Sequence, residues 1–98
     1  MGVSIDPEEN ETRVLHDLVD FRGKDVLEIG CGDGRMTWRY AELTRSVLGI
    51  DPNAEQIRLA VDSTPEALKP VVRFQAADIS ETKLPLSAFH IAILSWSL

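Results

Sequence analysis

Apolar residues come in two rhythms along this chain. Val14, Leu15, Leu18 and Val19 recur at helical spacing behind Asp6-Pro7-Glu8-Glu9. That tetrapeptide is a helix start, with Asp as N-cap, Pro at the first helical position and acids over the positive helix end. It predicts an amphipathic helix ending near Arg22-Gly23. The second rhythm is the short unbroken run. Val26 to Ile29, Val47 to Ile50, Val71 to Ala76 and Phe89 to Ser95 each read as a buried strand. Between the first two runs, Arg35 to Arg45 carries Met36, Tyr40 and Leu43 on one side and predicts a helix. Asn53 caps a further predicted helix bearing Ile57, Leu59, Ala60 and Val61. Ile79 to Ala88 predicts a loop or a single turn.

Strands separated by helix-length segments predict a parallel sheet and an α/β fold. Right-handed crossovers would put the two helices joining the first three strands on one face of the sheet. The segment Asp78 to Ala88, interrupted by Pro85 and Ser87, is too short to cover the other face. The chain stops at Leu98, just after the fourth strand, so Ile91 to Leu94 is expected at an open sheet edge. The expectation is a homo-oligomer, or a partner chain covering strand four and the bare face.

Composition narrows the class. The chain has 98 residues, 44% hydrophobic and 27% charged, the profile of one small globular domain. No apolar run nears the roughly 20 residues that span a bilayer, so no membrane role is expected. A net charge of −6 argues against a nucleic-acid partner, whose phosphates need a basic face. The acidic start, Met1 to Asn10, lacks the pattern of a signal peptide. The single cysteine, Cys31, points to a reducing, cytoplasmic compartment.

The candidate chemistry lies in Glu28-Ile29-Gly30-Cys31-Gly32-Asp33-Gly34, placed directly after a strand and before a predicted helix. Glycines there tolerate positive φ and let a ligand approach the backbone. The dinucleotide fingerprint needs a glycine at its sixth position, where this chain has Arg35, which speaks against a nicotinamide-dependent oxidoreductase. No Gly-Lys-Ser/Thr follows, so a P-loop is excluded. Asp51, closing the second strand before Pro52, is placed to accept from both hydroxyls of a ribose. Asp78 follows the third strand, where its carboxylate can accept from an adenine amino group while Ile79 packs on the ring.

Val26-Leu27-Glu28-Ile29-Gly30-Cys31-Gly32-Asp33-Gly34 resembles the first motif of class I S-adenosylmethionine-dependent methyltransferases. Val47-Leu48-Gly49-Ile50-Asp51-Pro52-Asn53 resembles the second, and Ala76-Ala77-Asp78-Ile79 the third. Phe89 to Trp96 is similar to the fourth strand of the small-molecule, quinone-biosynthesis-like group. The resemblance runs from about Asp6 to Leu98. It implies a Rossmann-like three-layer fold, incomplete here, with a four-stranded parallel sheet in the order 3-2-1-4. Residues 1–98 would then be a cofactor-binding methyltransferase domain truncated after strand four. It further implies S-adenosylmethionine as cofactor, S-adenosylhomocysteine as product and a small-molecule acceptor. Gly30 and Gly32 would lie along the cofactor's methionine portion, Cys31 and Gly34 would belong to the same cofactor-binding loop, and Glu28 would support the loop or the cofactor's amino group. Asp51 with Pro52 would hold the ribose, Asp78 and Ile79 would read the adenine, and Ser95 and Trp96 would border the methyl group. Two departures from the family stand out: His90 where an acid is usual, and the absence of the later strands that carry most substrate contacts.

Other candidates read blandly. His16 is a helix-surface residue, His90 starts a strand facing solvent or a partner, and Tyr40 packs on the sheet. Cys31 is a small loop residue rather than a nucleophile. No His, Cys and carboxylate spacing suggests a metal, and no residue stands out as a catalytic base. The alternative reading is a non-catalytic cofactor-binding or assembly module acting through its open sheet edge.

Overall fold

A computed structural model describes residues 2–5, 20–80 and 86–95. The predicted helix between Asp6 and Arg22, with His16, falls outside these residues except at its very end; Trp96 also lies outside them. Five strands form one sheet: β1 (Gly2–Ile5), β2 (Asp25–Ile29), β3 (Ser46–Asp51), β4 (Val72–Ala76) and β5 (Ile91–Ser95). Their order is β1-β5-β2-β3-β4, every pair parallel. The four expected strands therefore stand in the expected order, and the fold is the α/β, Rossmann-like one.

The fifth strand corrects the open edge. β1 pairs with β5 from Gly2↔Ala92 to Ile5↔Ser95, so strand four is an inner strand. Gly2-Val3-Ser4-Ile5 places β-branched residues at alternate positions, the pattern that suits a pleated strand. The expectation of a partner chain pairing with strand four loses its basis.

Register shows how the core forms. Val26 pairs with Val47 and Ile91, Val47 with Val72, and Glu28 with Ile93, so these residues share one face. Met36, Tyr40 and Ala41, from the segment between β2 and β3, are buried in one cluster with that face. The one α-helix among the described residues, α1 (Ala54–Ser63), packs on β4 and β3. Asn53 caps it, accepting at Oδ1 from the N–H groups of Glu55 (3.0 Å) and Gln56 (3.2 Å), as its sequence position predicted. Of its apolar residues Ile57 and Ala60 are buried, while Leu59 and Val61 are exposed. The opposite face is not bare at its centre: Leu27 and Ile50 are fully buried, while Leu94 on β5 and Arg73 and Gln75 on β4 are exposed.

The predicted helix over Arg35 to Arg45 does not form. The chain makes two short 3-10 turns, Thr37–Arg39 and Ala41–Leu43, separated by Tyr40 at φ −131°. Trp38 and Tyr40 are mediocre helix formers. The Tyr40 and Thr37 hydroxyls are committed to Glu28 on β2, which draws both side chains inward. Tyr40 packs as expected, stacking on Phe21 with ring centroids 4.6 Å apart.

Candidate functional site

The glycine loop leaves β2 at the carboxyl end of the sheet, where ligand crevices open in such folds. The N–H groups of Gly30 (2.8 Å) and Cys31 (3.1 Å) both donate to the Ile50 carbonyl, binding the loop to the end of β3. Gly30, Gly32 and Gly34 all have positive φ, at 80°, 57° and 90°. Their reasons differ. A Cβ on Gly30 would lie 2.4 Å from the Ser95 carbonyl oxygen, and one on Gly34 would lie 2.7 Å from the Trp38 ring. Those two glycines let β5 and Trp38 close on the loop. Gly32 is the one that lines the cleft.

That cleft, of about 520 Å³, is bounded by Gly32, Asp33, Arg35, Asp51, Asn53 and Gln56. Its volume lies within the range that holds a nucleoside-sized ligand. Asp51 organises it. Its Oδ2 accepts from the Gly32 N–H (3.0 Å) and its Oδ1 from the Asn53 N–H (2.9 Å). One carboxylate thus fastens the loop to the start of α1, and each oxygen keeps a lone pair beyond those bonds. Asp33 accepts at Oδ1 from the Arg35 Nε, 3.1 Å away, so the guanidinium at the cleft wall is paired within the loop.

Glu28 does not line the cleft. It is fully buried on β2, and its Oε1 accepts from the Thr37 hydroxyl (2.8 Å) and the Tyr40 hydroxyl (2.5 Å). Its Oε2 is buried and has no partner of good hydrogen-bond geometry among the described residues, although the Ser95 hydroxyl lies close enough to help hold the carboxyl down. Burial pushes the carboxyl up from its usual 4.5 to about 6, against the pull of Tyr40 and Thr37. The same surroundings raise the Tyr40 phenol.

The remaining expected residues divide. The Cys31 side chain is buried. Its Sγ would lie 3.0 Å from a Cβ on Gly49, so it packs inward against β3. Burial first, then Glu28 and Asp51, push its thiol up, which suits an inert side chain. Pro52 follows Asp51 on the exposed surface. Asp78 is exposed outside the cleft lining, where its Oδ1 accepts from the N–H and hydroxyl of Ser80 and is held below the usual carboxylate range by them. Ile79 beside it is partly exposed. His90 accepts at Nδ1 from the Asp25 N–H (2.9 Å), at the far end of the sheet. Arg35, Asn53 and Gln56 were not expected at the site. Asn53 and Gln56 could have been found from the helix start: residues in the first turn after Asp51 must face whatever Asp51 faces. Arg35 carried no such signal.

Among the described residues no group of His, Cys, Asp and Glu could hold a metal, and no helix is long and apolar enough to cross a membrane. Comparison with known proteins adds the lineage. Residues 26–98 match the family model described as a methyltransferase domain. The chain is 53% identical over 36 residues to tRNA U34 carboxymethyltransferase from Pseudomonas paraeruginosa, covering 36% of this chain and 11% of that protein. It is 36% identical over 62 residues to the mitochondrial ubiquinone biosynthesis O-methyltransferase of Rattus norvegicus, covering 61% and 18%. Among solved structures it superposes on Haemonchus contortus phosphoethanolamine N-methyltransferase 1 in complex with phosphoethanolamine and S-adenosylhomocysteine. There the TM-score is 0.74 and the identity 26%, covering 86% of this chain and 18% of that one. The chain thus spans only a small part of each relative's length. A glycine loop, an acid at the end of β3 and this strand order agree with the match: the chain belongs to the family of S-adenosylmethionine-dependent methyltransferase domains.

Proposed function

We propose that residues 1–98 act as one unit that holds S-adenosylmethionine in the cleft beside Gly32 and Asp51, for methyl transfer to a small-molecule acceptor. The observation that carries this reading is Asp51. Its carboxylate joins the glycine loop to α1 through two backbone N–H groups and still has acceptor capacity for hydroxyls at the cleft. The residues fit the cofactor: Gly32 presents backbone without a side chain, and the cleft offers acceptors and amides suited to a polar adenosyl group. When bound, the cofactor supplies a methyl group already activated by its sulfonium. The chain's own contribution is to hold and orient.

The net charge of −6 favours a small acceptor over a nucleic acid. The buried, free Cys31 suits the reducing cytoplasm, the compartment we assign. The nicotinamide reading is disfavoured by Arg35 at the position a third glycine would need. Calorimetric titration of the folded chain with S-adenosylhomocysteine, with NAD as control, tests the proposal. The expected result is binding that Asp51→Ala abolishes, with NAD silent. A folded chain that ignores S-adenosylhomocysteine would overturn it.

A further inference from the structure

We propose that β4 is a self-complementary edge, and that two copies of this chain join there, antiparallel about a two-fold axis at Phe74, into one continuous sheet. The inference does not depend on the cofactor reading. The edge concerned is not that of strand four, which β1 covers, but the one at the other end of the sheet.

β4 stands beyond β3, with no further strand outside it among the described residues. On its inner side the Val47 N–H donates to the Val71 carbonyl (2.9 Å) and the Ala77 N–H to the Asp51 carbonyl (3.0 Å). Residues that bond to the neighbour alternate along a parallel ladder, so Arg73 and Gln75 turn inward with Val71 and Ala77. Val72, Phe74 and Ala76 then turn N–H and C=O outward, and among the described residues nothing meets those groups. Such a row is a template for another strand.

The row fits itself in one register. Antiparallel strands bond where the outward residues of both face each other. With Phe74 opposite Phe74, Val72 of each copy faces Ala76 of the other, and all three outward residues bond. A shift that pairs Val72 with Phe74 sets Ala76 against Pro70, which has no N–H to give. A shift the other way sets Val72 against Asp78, past the end of the strand. Charge agrees with the Phe74 register. Arg73 is exposed and, among the described residues, has no ion pair. A lone charge in an edge strand usually guards against pairing, but here it falls opposite Gln75, a neutral amide whose carbonyl can accept from it. The Lys69 end of one β4 also lies beside the Asp78 end of the other, pairing opposite signs.

A groove of about 380 Å³ lies between β4 and the C-terminal part of α1, with Val61, Val72 and Phe74 on its wall. Val61 is 51% exposed. The Phe74 ring is held edge-on to Trp38, with centroids 5.6 Å apart, so the group on the axis is fixed before a partner arrives. An added strand covers such a wall, because its side chains alternate over the two faces of the sheet. A second copy brings its own Phe74 and Ala76 to it.

Sedimentation equilibrium of the chain from micromolar to millimolar concentration tests this, alongside amide hydrogen exchange read residue by residue. We expect a monomer–dimer equilibrium. In dilute solution the amides of Val72, Phe74 and Ala76 should exchange quickly and those of Arg73 and Gln75 slowly; in the dimer all five should be slow. Ala76→Pro removes an outward N–H that the monomer does not use, so the fold should tolerate it. By symmetry it deletes two hydrogen bonds per dimer and should weaken association about thirtyfold. Gln75→Glu sets a carboxylate opposite Arg73 twice and should tighten association about fivefold at low salt; Gln75→Lys should weaken it by about as much. These two exposed substitutions carry the test if Ala76→Pro does not fold. A chain that stays monomeric throughout the range overturns the proposal. So does a dimer indifferent to all three substitutions, or one whose Phe74 amide still exchanges quickly, because another surface would then hold it. A dimer broken by Ala76→Pro but unmoved at Gln75 would overturn the register about Phe74.

Discussion

Asp25 and Glu28 stand on the same strand and live under opposite electrostatics. At the start of β2, Asp25 receives the Arg45 guanidinium at both oxygens, and its Oδ1 also accepts from the Ser46 hydroxyl (2.6 Å). Arg45 and Ser46 hold its carboxyl far below the usual carboxylate range. Toward the other end, Glu28 is met by the neutral hydroxyls of Tyr40, Thr37 and Ser95 and, among the described residues, by no cation, and burial pushes it up to about 6. One end of the strand has its charge answered from within the chain; the other has it left over. A compensated charge needs nothing more, whereas a buried uncompensated one costs stability. The difference separates an end of the strand whose charge is met within the chain from one where burial opposes it.

The two ends also carry a positive-φ glycine each, and substituting both gives the largest expected contrast. Gly30→Ala forces a Cβ to 2.4 Å from the Ser95 carbonyl at φ 80°. Strain and overpacking together should cost about 3 kcal/mol or more. Gly23, just before β2, has φ 68° and open space around its Cβ position, so Gly23→Ala should cost only about 1 kcal/mol, from the backbone alone. Urea denaturation of both variants measures this. Equal losses would mean that the close pass of β5 over the loop is not what requires glycine at position 30.

Next in size is Glu28→Gln. A carboxyl raised from 4.5 to about 6 on folding binds more protons in the folded state than in the unfolded one. Stability is then highest below about pH 4.5, falls as the pH rises through about 6, and is flat above. The fall amounts to about 2 kcal/mol. The amide cannot ionise, so Glu28→Gln should erase this fall and be no less stable than wild type at pH 8. Thermal melts from pH 4 to pH 8 check it. A variant that is clearly less stable at pH 8 would show Glu28 to be a structural residue like Asp25.

Much of this was legible because the strands are short apolar runs, those of β2 and β3 buried on both faces, and their order follows from right-handed crossovers. Asp51 and the Asn53 cap were legible because each stands where a strand stops and a helix starts. β1 was not. Four residues hold too little pattern to name a partner as distant in sequence as Ala92 to Ser95. The stretch from Arg35 to Arg45 misled because Met36 and Tyr40 are buried as a helix would bury them. Apolar spacing does not distinguish an α-helix from two 3-10 turns. What decides between them is polar: hydroxyls reaching across to Glu28. The glycines were legible as positive-φ positions, but not the reason at Gly30 and Gly34, where the obstacles are Ser95 and Trp38.

The smallest effect belongs to Arg45→Gln, at the compensated end. Asp25 has a folded pKa below its unfolded value. Its contribution to stability is therefore present above about pH 3.9 and is lost as the pH falls toward the folded value. Much of that contribution comes through Arg45, whose side chain is largely exposed, so water and salt screen the pair. Arg45→Gln should lower the melting temperature slightly and by a constant amount from pH 5 to pH 8. The gap to wild type should close as the pH falls below about 3, where Asp25 loses its charge in the variant before it does in wild type, and shrink in 1 M salt. S-adenosylhomocysteine affinity should not move at any pH, because nothing at this end of β2 touches the cleft. A gap that widens in acid would reverse the sign assigned to Asp25. A change in cofactor affinity would mean that the two ends of the strand are coupled, and that Asp25 and Glu28 titrate as parts of one system.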